Sequence, residues 1–516
     1  MGNVDNRRIA KNTLLLYMRM GLIMLISLWA SRVVLSTLGQ TDFGLYNVIG
    51  GIVVAFSFLG SVMNSACNRY YSTELGRGDM EALHQVFKVN LTIFLILAAA
   101  ILLLSETLGL WLFERKMNIP ADRLTACRWV YQLSIGSFLA GVVAIPYRAI
   151  ITAKEKMKVY AYCSVVEAVL KLASVFLLAV SPIDKLVFYA LLMLLVSLAT
   201  SGFYIFYCIR FYPECRYDWH CDKSLAREIL SFNGWGVLGS MATIGKNQGV
   251  NILLNMFFGP AVNAARGLAN QVYVNVYQFV QNYVLAFNPQ IVKSYAAGER
   301  SAMMRLVFQA SRFSYFLLYA IVLPLLLEMD CVLGLWLTEV PEHTASFASI
   351  MLAVSLVDSF HDPLFYAVQA TGRVKWYNIL VGGSQLLIVF VAYFLLKCFH
   401  ILPEMVFWLI FIFAIITQGI RIGMAVRFAS MDLRSYLRGV LLPIAGVSAV
   451  SAVLPFVFVQ MVPAGLGRLL LTIAISLACT GLAVWAIGLE KTERSAIRNL
   501  WKKYITRKAP RCGNIS

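Results

Sequence analysis

The stretch PYRAIITAKEKMKVYAY, residues 146–162, aligns without gaps to PLFYAVQATGRVKWYNI, residues 363–379. Pro146 matches Pro363, Ala153 matches Ala370, Lys158 matches Lys375 and Tyr160 matches Tyr377. Three further pairs occur in the same order. GLWL at Gly109 recurs at Gly334, and Gly39 answers to Gly259. Gly76 followed by Val86 and Phe87 answers to Gly298 followed by Val307 and Phe308. One such match carries little weight, but four in register at a nearly constant offset mark an internal duplication.

The duplicated unit is built for lipid. Sixty per cent of the 516 residues are hydrophobic, 14% are charged, and the mean hydropathy is +0.73. A soluble domain carries roughly 25% charged residues, so there are too few charges here to cover a surface of this size in water. Apolar runs suited to a ~20-residue span begin near Thr13, Tyr46, Val86, Cys127, Tyr160, Leu186, Phe232, Asn263, Leu306, Phe347, Ile379, Glu404, Val440 and Gly467. The expected fold is all-α integral membrane, with about fourteen transmembrane helices. It comprises a six-helix lobe at residues 1–208, a cytoplasmic linker at 209–230 and a second six-helix lobe at 231–430. An appended helix pair at 431–490 and a basic tail at 491–516 follow. Six is even, so the two lobes share a membrane orientation and a pseudo-two-fold axis along the membrane normal. Duplications of this kind are usual in transporters, where the site lies between halves that rock.

The net charge of +18 raises the question of nucleic acid, but the placement of the cations answers it. Lys and Arg fall mainly on alternate loops, from Arg7, Arg8 and Lys11 through Arg148, Lys154, Lys156 and Lys158 to Arg421, Arg427, Arg434 and Arg438. The opposite loops hold far fewer, and only Arg19, Arg32, Lys171 and Lys246 read as lying well inside spans. This is the positive-inside pattern; it places both termini in the cytoplasm, sets the basic segments against anionic headgroups and leaves no role for nucleic acid. The first apolar run is too long for a cleaved signal peptide and is broken by Arg19, so it reads as a span that stays. The ten cysteines are scattered and form no disulfide framework. Cys215, His220 and Cys221 fit no standard zinc spacing, and no metal or other cofactor is expected.

Polar residues repeating every three or four positions mark a helix face turned from lipid. Span seven carries Ser240, Thr243, Asn247, Asn251 and Asn255, with Lys246 and Gln248 beside them. Span eight carries Arg266, Asn270, Tyr273, Tyr277 and Gln281, and span two carries Asn47, Ser57, Ser61, Asn64 and Asn68. Amides bonding across helix interfaces would explain one or two of these. Three long stripes suit a water-filled cavity, with rings for sugar carbons and amides for sugar hydroxyls.

Ionisable residues inside a membrane are costly and point to function. Arg19 and Arg32 are thirteen residues apart on one helix, which turns them roughly 140° from each other and spaces them about 20 Å along the axis. Arg19, nearer mid-span, faces the expected cavity, and Arg32 snorkels outward. With Lys246 and Arg266 they favour an anionic substrate such as a diphosphate. Glu167 and Lys171 stand at i and i+4, where they can pair within one helix. Asp358 and Asp362 stand one turn apart beside His361 and before Pro363. A carboxylate pair in low dielectric can hold a proton near neutral pH or bind a cation, and Asp362 can equally serve as a cap at the helix break.

The start RIAKNTLLLYMR, the first loop LGQTDFGLYNVIGG and PYRAIITAKEKM after span four resemble the Wzx-like polysaccharide (O-antigen type) flippases of the multidrug/oligosaccharidyl-lipid/polysaccharide exporter superfamily. The resemblance covers essentially the whole chain. It implies two V-shaped lobes, alternating access and a cationic cavity in the bacterial cytoplasmic (inner) membrane. The cargo it implies is an undecaprenyl-diphosphate-linked oligosaccharide, moved from the cytoplasmic to the periplasmic leaflet for surface polysaccharides such as lipopolysaccharide. It also implies H+ or Na+ coupling, an antiporter-like feature, and other polysaccharide-assembly proteins as partners. In related drug exporters a span-ten acid takes part in cation coupling, and Asp358 is its nearest match. The acid that some carry on span seven is absent, with Lys246 in that region instead, which counts against a sodium site. A multidrug antiporter or a lipid II flippase would share the fold. The intramembrane Lys and Arg count against a carrier of cationic drugs. A membrane polysaccharide polymerase or ligase would need a large loop with a catalytic cluster, and none is visible.

Overall fold

Inside a bilayer an unpaired backbone amide finds no water, so a chain this apolar closes its hydrogen bonds helix by helix. The computed structural model describes residues 6–154, 156–181, 183–216, 222–285, 287–491, 493–495 and 498. Among these residues there is no strand, and the fold is an all-helical membrane protein. The helices of the first half are α1 (Asn6–Val54), α2 (Ser57–Arg77), α3 (Met80–Leu104), α4 (Leu124–Val143), α5 (Ile145–Ala153), α6 (Met157–Val180) and α7 (Lys185–Phe211). The second half continues with α8 (Lys223–Phe258), α9 (Pro260–Leu285), α10 (Asn288–Ala296), α11 (Arg300–Leu327), α12 (Thr344–Asp358), α13 (His361–Ala370), α14 (Val374–Phe399) and α15 (Pro403–Ala429). The last two are α16 (Leu442–Met461) and α17 (Leu466–Ala483).

Eleven segments among the described residues are long and apolar enough to cross a membrane. The helices α2, α8 and α9, which fall in the expected spans two, seven and eight, are not among them. Their polar stripes lower their mean hydropathy. The first expected span and the start of the second are joined in one helix, α1, which kinks at Gly39, where φ is 77° and ψ is 170°. Such a φ favours glycine, whose missing Cβ removes the clash. Helices of the two halves keep a common spacing. Helices α6 and α14 begin at Met157 and Val374, and α5 and α13 end at Ala153 and Ala370, both pairs 217 residues apart. Helices α7 and α15 are each 27 residues long.

Two compact units emerge from the packing. The first comprises residues 1–272, 333–351 and 374–417. One core inside it joins Leu45, Val48, Ile49 and Ile52 of α1 to Val130, Tyr131 and Ile135 of α4 and Leu186 of α7. A second joins Cys67 and Tyr71 of α2 to Phe87 and Phe94 of α3, Ile150 of α5 and Cys208 of α7. Helix α8 packs along α14 through glycines: a Cβ at Gly249 would stand 2.8 Å from Val389 Cγ2, and one at Gly245 3.0 Å from Leu386 Cδ2. Small residues four apart let helices approach closely in a membrane, where packing rather than water drives association.

The second unit comprises residues 273–332, 352–373 and 418–516. Here α17 and the segment that follows it are tied to α11 by two ion-pair sites. Arg312 of α11 donates to Glu490 Oε1 at 2.6 Å and Glu493 Oε1 at 2.7 Å. Near the other end of α11, Arg468 of α17 donates to Glu328 Oε2 at 2.8 Å. Tyr319 of α11 donates to the Ser448 carbonyl of α16 at 2.9 Å.

One sequence expectation is corrected by these packings. Arg148 and Arg421, read as loop cations, lie within α5 and α15, and Arg312 lies within α11; Arg312 and Arg421 are each only 3% exposed. The helices run beyond the apolar windows that set the expected span ends. The structure thus brings those side chains among other helices.

Candidate substrate cavity

A cavity of about 970 Å³ opens inside the first unit, walled by α1, α2, α4, α5, α6 and α7. Small side chains make the room: Gly50, Ser57, Gly60, Ser134, Ser137 and Gly141 all line it. Its polar lining adds Asn64 and Asn68 of α2, Thr152 of α5 and Ser197 and Thr200 of α7. Tyr46 and Tyr160 supply aromatic faces, and Arg148, Glu167 and Lys171 supply charge. Asn68 Oδ1 and Arg148 Nε are buried with no hydrogen-bond partner. Lys171 Nζ donates to Glu167 Oε1 at 2.7 Å, so the two residues both pair within the helix and face the cavity. The lining has the chemistry of a saccharide site: hydroxyls, amides and rings around a few charges.

Part of the stripes read on spans seven and eight is drawn into a packed network. Asn251 and Asn255 are 4% and 0% exposed. The Asn251 amide donates to the Asn47 carbonyl at 3.3 Å. Asn263 donates to Asn251 O and Oδ1, both at 2.8 Å, and Asn255 Oδ1 accepts from the Asn118 N–H at 2.8 Å. Arg266 Nη2 donates to the Asn247 carbonyl at 2.6 Å, while the Asn247 side chain is exposed. Lys246 and Asn270 are half-buried. Arg32 donates to the Leu335 carbonyl at 3.2 Å. Arg19 lies on α1, but its side chain is outside the described residues, as is that of Ser61. Gln271, which the sequence reading did not single out, donates to Ser27 O at 3.1 Å and Ser27 Oγ at 3.0 Å.

In the second unit the structure gathers Tyr273, Tyr277 and Asp358. The two rings stack with centroids 5.6 Å apart. Tyr273 Oη donates to Asp358 Oδ2 at 3.2 Å, and Tyr277 Oη to the Asp358 carbonyl at 3.1 Å. Arg421, missed as a site residue, donates to Asp358 Oδ1 and to Gln418 Oε1. Its position eighteen residues after Pro403, well inside an apolar helix, was the available signal. Asp362 lies 3.0 Å from the ring Nδ1 of His361, and Gln281 is exposed.

Among the described residues no cluster of three His, Cys, Asp or Glu side chains could hold a metal ion. His220 and Cys221 lie outside the described residues. The Cys215 thiol is pushed up by its hydrogen bond with Cys208 and by burial, which disfavours the thiolate a metal would need.

Comparison with known proteins fits this architecture. The chain is 21% identical over 362 residues to the "Uncharacterized membrane protein EpsK" of Bacillus subtilis (strain 168), covering 68% of this chain and 69% of that protein. Its fold is similar to a structure described as "Lipid II flippase MurJ, inward closed conformation", with a TM-score of 0.64, 12% identity, and 91% and 98% of the two chains covered. It is also similar to an outward-facing multidrug resistance MATE family transporter of the MOP superfamily, with a TM-score of 0.59, 14% identity, and 80% and 94% covered. The sequence model of the family described as "Polysaccharide biosynthesis protein" matches residues 9–297, more than half the chain. The chain belongs to that polysaccharide biosynthesis family.

Proposed function

We propose that the chain is a flippase rather than an enzyme. It carries an undecaprenyl-diphosphate-linked oligosaccharide from the cytoplasmic to the periplasmic leaflet of a bacterial cytoplasmic membrane, by alternating access coupled to an H+ or Na+ gradient. The observation that carries this reading is the 970 Å³ cavity, lined by hydroxyls, amides and tyrosine rings inside a bundle of membrane helices. Its volume lies at the upper end of the ~300–1,000 Å³ typical of ligand sites. Its lining suits a sugar better than an apolar cation. The family's part in polysaccharide biosynthesis points the same way.

In this reading two six-helix lobes rock about the linker, with both termini in the cytoplasm. Arg19, Lys246 and Arg266 meet the diphosphate along its path, and Arg32 attracts it from the membrane edge. Asn247 and Asn270, and separately Tyr273, Tyr277 and Gln281 of the second unit, meet the sugar at points along its path. Asn251 and Asn255 join them when their network opens. Asp358, with Asp362 and Glu167, carries the ion coupling.

Deleting the gene in its host and locating the undecaprenyl-linked glycan tests the proposal. Accumulation on the cytoplasmic side with loss of surface polysaccharide is the expected result. Normal surface glycan with new sensitivity to cationic drugs would overturn it.

A further inference from the structure

Arg148 sits in the stretch that betrays the duplication, yet nothing about the duplication requires it. Its guanidinium lies over the Tyr204 ring, 4.8 Å from the centroid. Its Nε is buried without a hydrogen-bond partner, and it makes no ion pair among the described residues. Among the described residues the cavity wall has a single carboxylate, Glu167, and it is taken by Lys171. Among those same residues two cations against one carboxylate leave one uncompensated positive charge, at Arg148. Keeping such a charge within a membrane bundle is costly.

The second copy shows that the fold does not need it. At the 217-residue offset kept by the paired helices, Arg148 corresponds to Phe365, Glu167 to Ser384 and Lys171 to Ile388. None of the three is ionisable. The reverse comparison gives the same asymmetry: Asp358, His361 and Asp362 correspond to Gly141, Ala144 and Ile145. The same helices form with and without each cluster, so neither cluster is a building requirement. Each copy has its own charged equipment.

We propose that the cavity of the first copy is an anion site, in which Arg148 receives the phosphate oxygens of a polyprenyl diphosphate while the hydroxyl and amide lining takes the attached sugar. The lipid identity rests on the flippase reading; the anion assignment rests on the cavity and its charge alone. The Tyr204 ring covers one face of the guanidinium, whose planar fork of N–H donors matches phosphate oxygens.

The test uses the full-length protein in detergent, titrated calorimetrically with inorganic pyrophosphate and with farnesyl diphosphate as a short polyprenyl diphosphate. Both should bind saturably. Arg148→Ala should weaken both about tenfold or more, the loss of a charge-assisted, bidentate contact. Arg148→Lys should fall between, and Arg210→Ala, an exposed arginine on α7, should bind as the parent does. If the alanine variant does not fold, Arg148→Gln takes its place with the same expected loss. Unchanged binding by a folded, uncharged variant, or no binding of either probe by the parent, would overturn the site. Binding of pyrophosphate without farnesyl diphosphate would overturn the lipid assignment. Lost binding in the variant together with normal glycan in the deletion strain would sink the flippase reading and leave the anion site standing.

Discussion

The Arg421 guanidinium lies 3.2 Å from Asp358 Oδ1, so the carboxylate at the α12–α13 break already has a cation supplied by its own fold. The arginine side chain is 4% exposed and the aspartate side chain 16%. A pair this deep is costly to assemble from water, but breaking it is worse, because a buried charge is left alone. Asp358→Asn or Arg421→Gln alone should each destabilise the protein by about 3–5 kcal/mol. The double variant should lose clearly less than the sum, because the two residues share one interaction. Thermal melts in detergent would measure this, and strictly additive losses would show that the pair is not coupled.

The same pair bears on transport. If Asp358 carries the coupling ion, Arg421 must release it during the cycle, and protonating the carboxylate is one way to loosen the pair. Proteoliposomes containing Asp358→Asn should therefore translocate at a rate that no longer follows the imposed gradient. Unaltered gradient dependence would remove Asp358 from the coupling role.

The ends of α11 offer a separate prediction. The Glu328 side chain is fully buried and accepts from Arg468 at 2.8 Å and Thr472 at 3.0 Å. Glu328→Ala leaves the Arg468 cation without its carboxylate, at a cost of about 3–5 kcal/mol. Helix α17 should loosen at that end, and limited proteolysis should cut faster in the segment between α16 and α17. An unchanged cleavage rate would mean that packing alone holds α17 in place.

How much of this could be read beforehand depends on range. The all-helical membrane fold rests on composition and on runs of about twenty residues, both local properties of the chain. The Glu167–Lys171 contact is also local, one helical turn, and it was legible as such. Arg148 was visible but was read as a loop cation, because hydropathy marks where a span is apolar rather than where its helix ends. The partnership of Asp358 and Arg421 joins positions 63 residues apart, and no periodicity encodes it. The amide stripes show the same limit. Their four-residue spacing was plain, yet only packing shows that Asn251 faces Asn47 and Asn263 rather than open space.

A close backbone approach beside those stripes yields a direct test of motion. A Cβ on Gly44 of α1 would stand 1.8 Å from the Pro260 carbonyl oxygen and 2.6 Å from its carbon, both backbone atoms at the start of α9. Beside this point Gly267 faces the Asn47 amide, and Gly51 faces Gln248 and Asn251. Glycines and amides therefore form one seam inside the first unit, where helices of the two copies touch. Alternating access requires such a seam to part and close again. Gly44→Ala has no flexible side chain to displace, so it should hold the seam open. Gly76→Ala, with nothing within 4 Å of its added Cβ, should be tolerated and gain up to about 1 kcal/mol of helix stability. Cysteines at Ser27 and Gln271, in a background with the native cysteines replaced, report on the seam because those side chains are hydrogen-bonded across it. They should cross-link readily in the parent and slowly in Gly44→Ala. The cross-linked parent should stop exporting glycan until the disulfide is reduced. Equal cross-linking with and without Gly44→Ala would mean that the seam does not depend on this contact, and export by the cross-linked protein would mean that the seam never opens during transport.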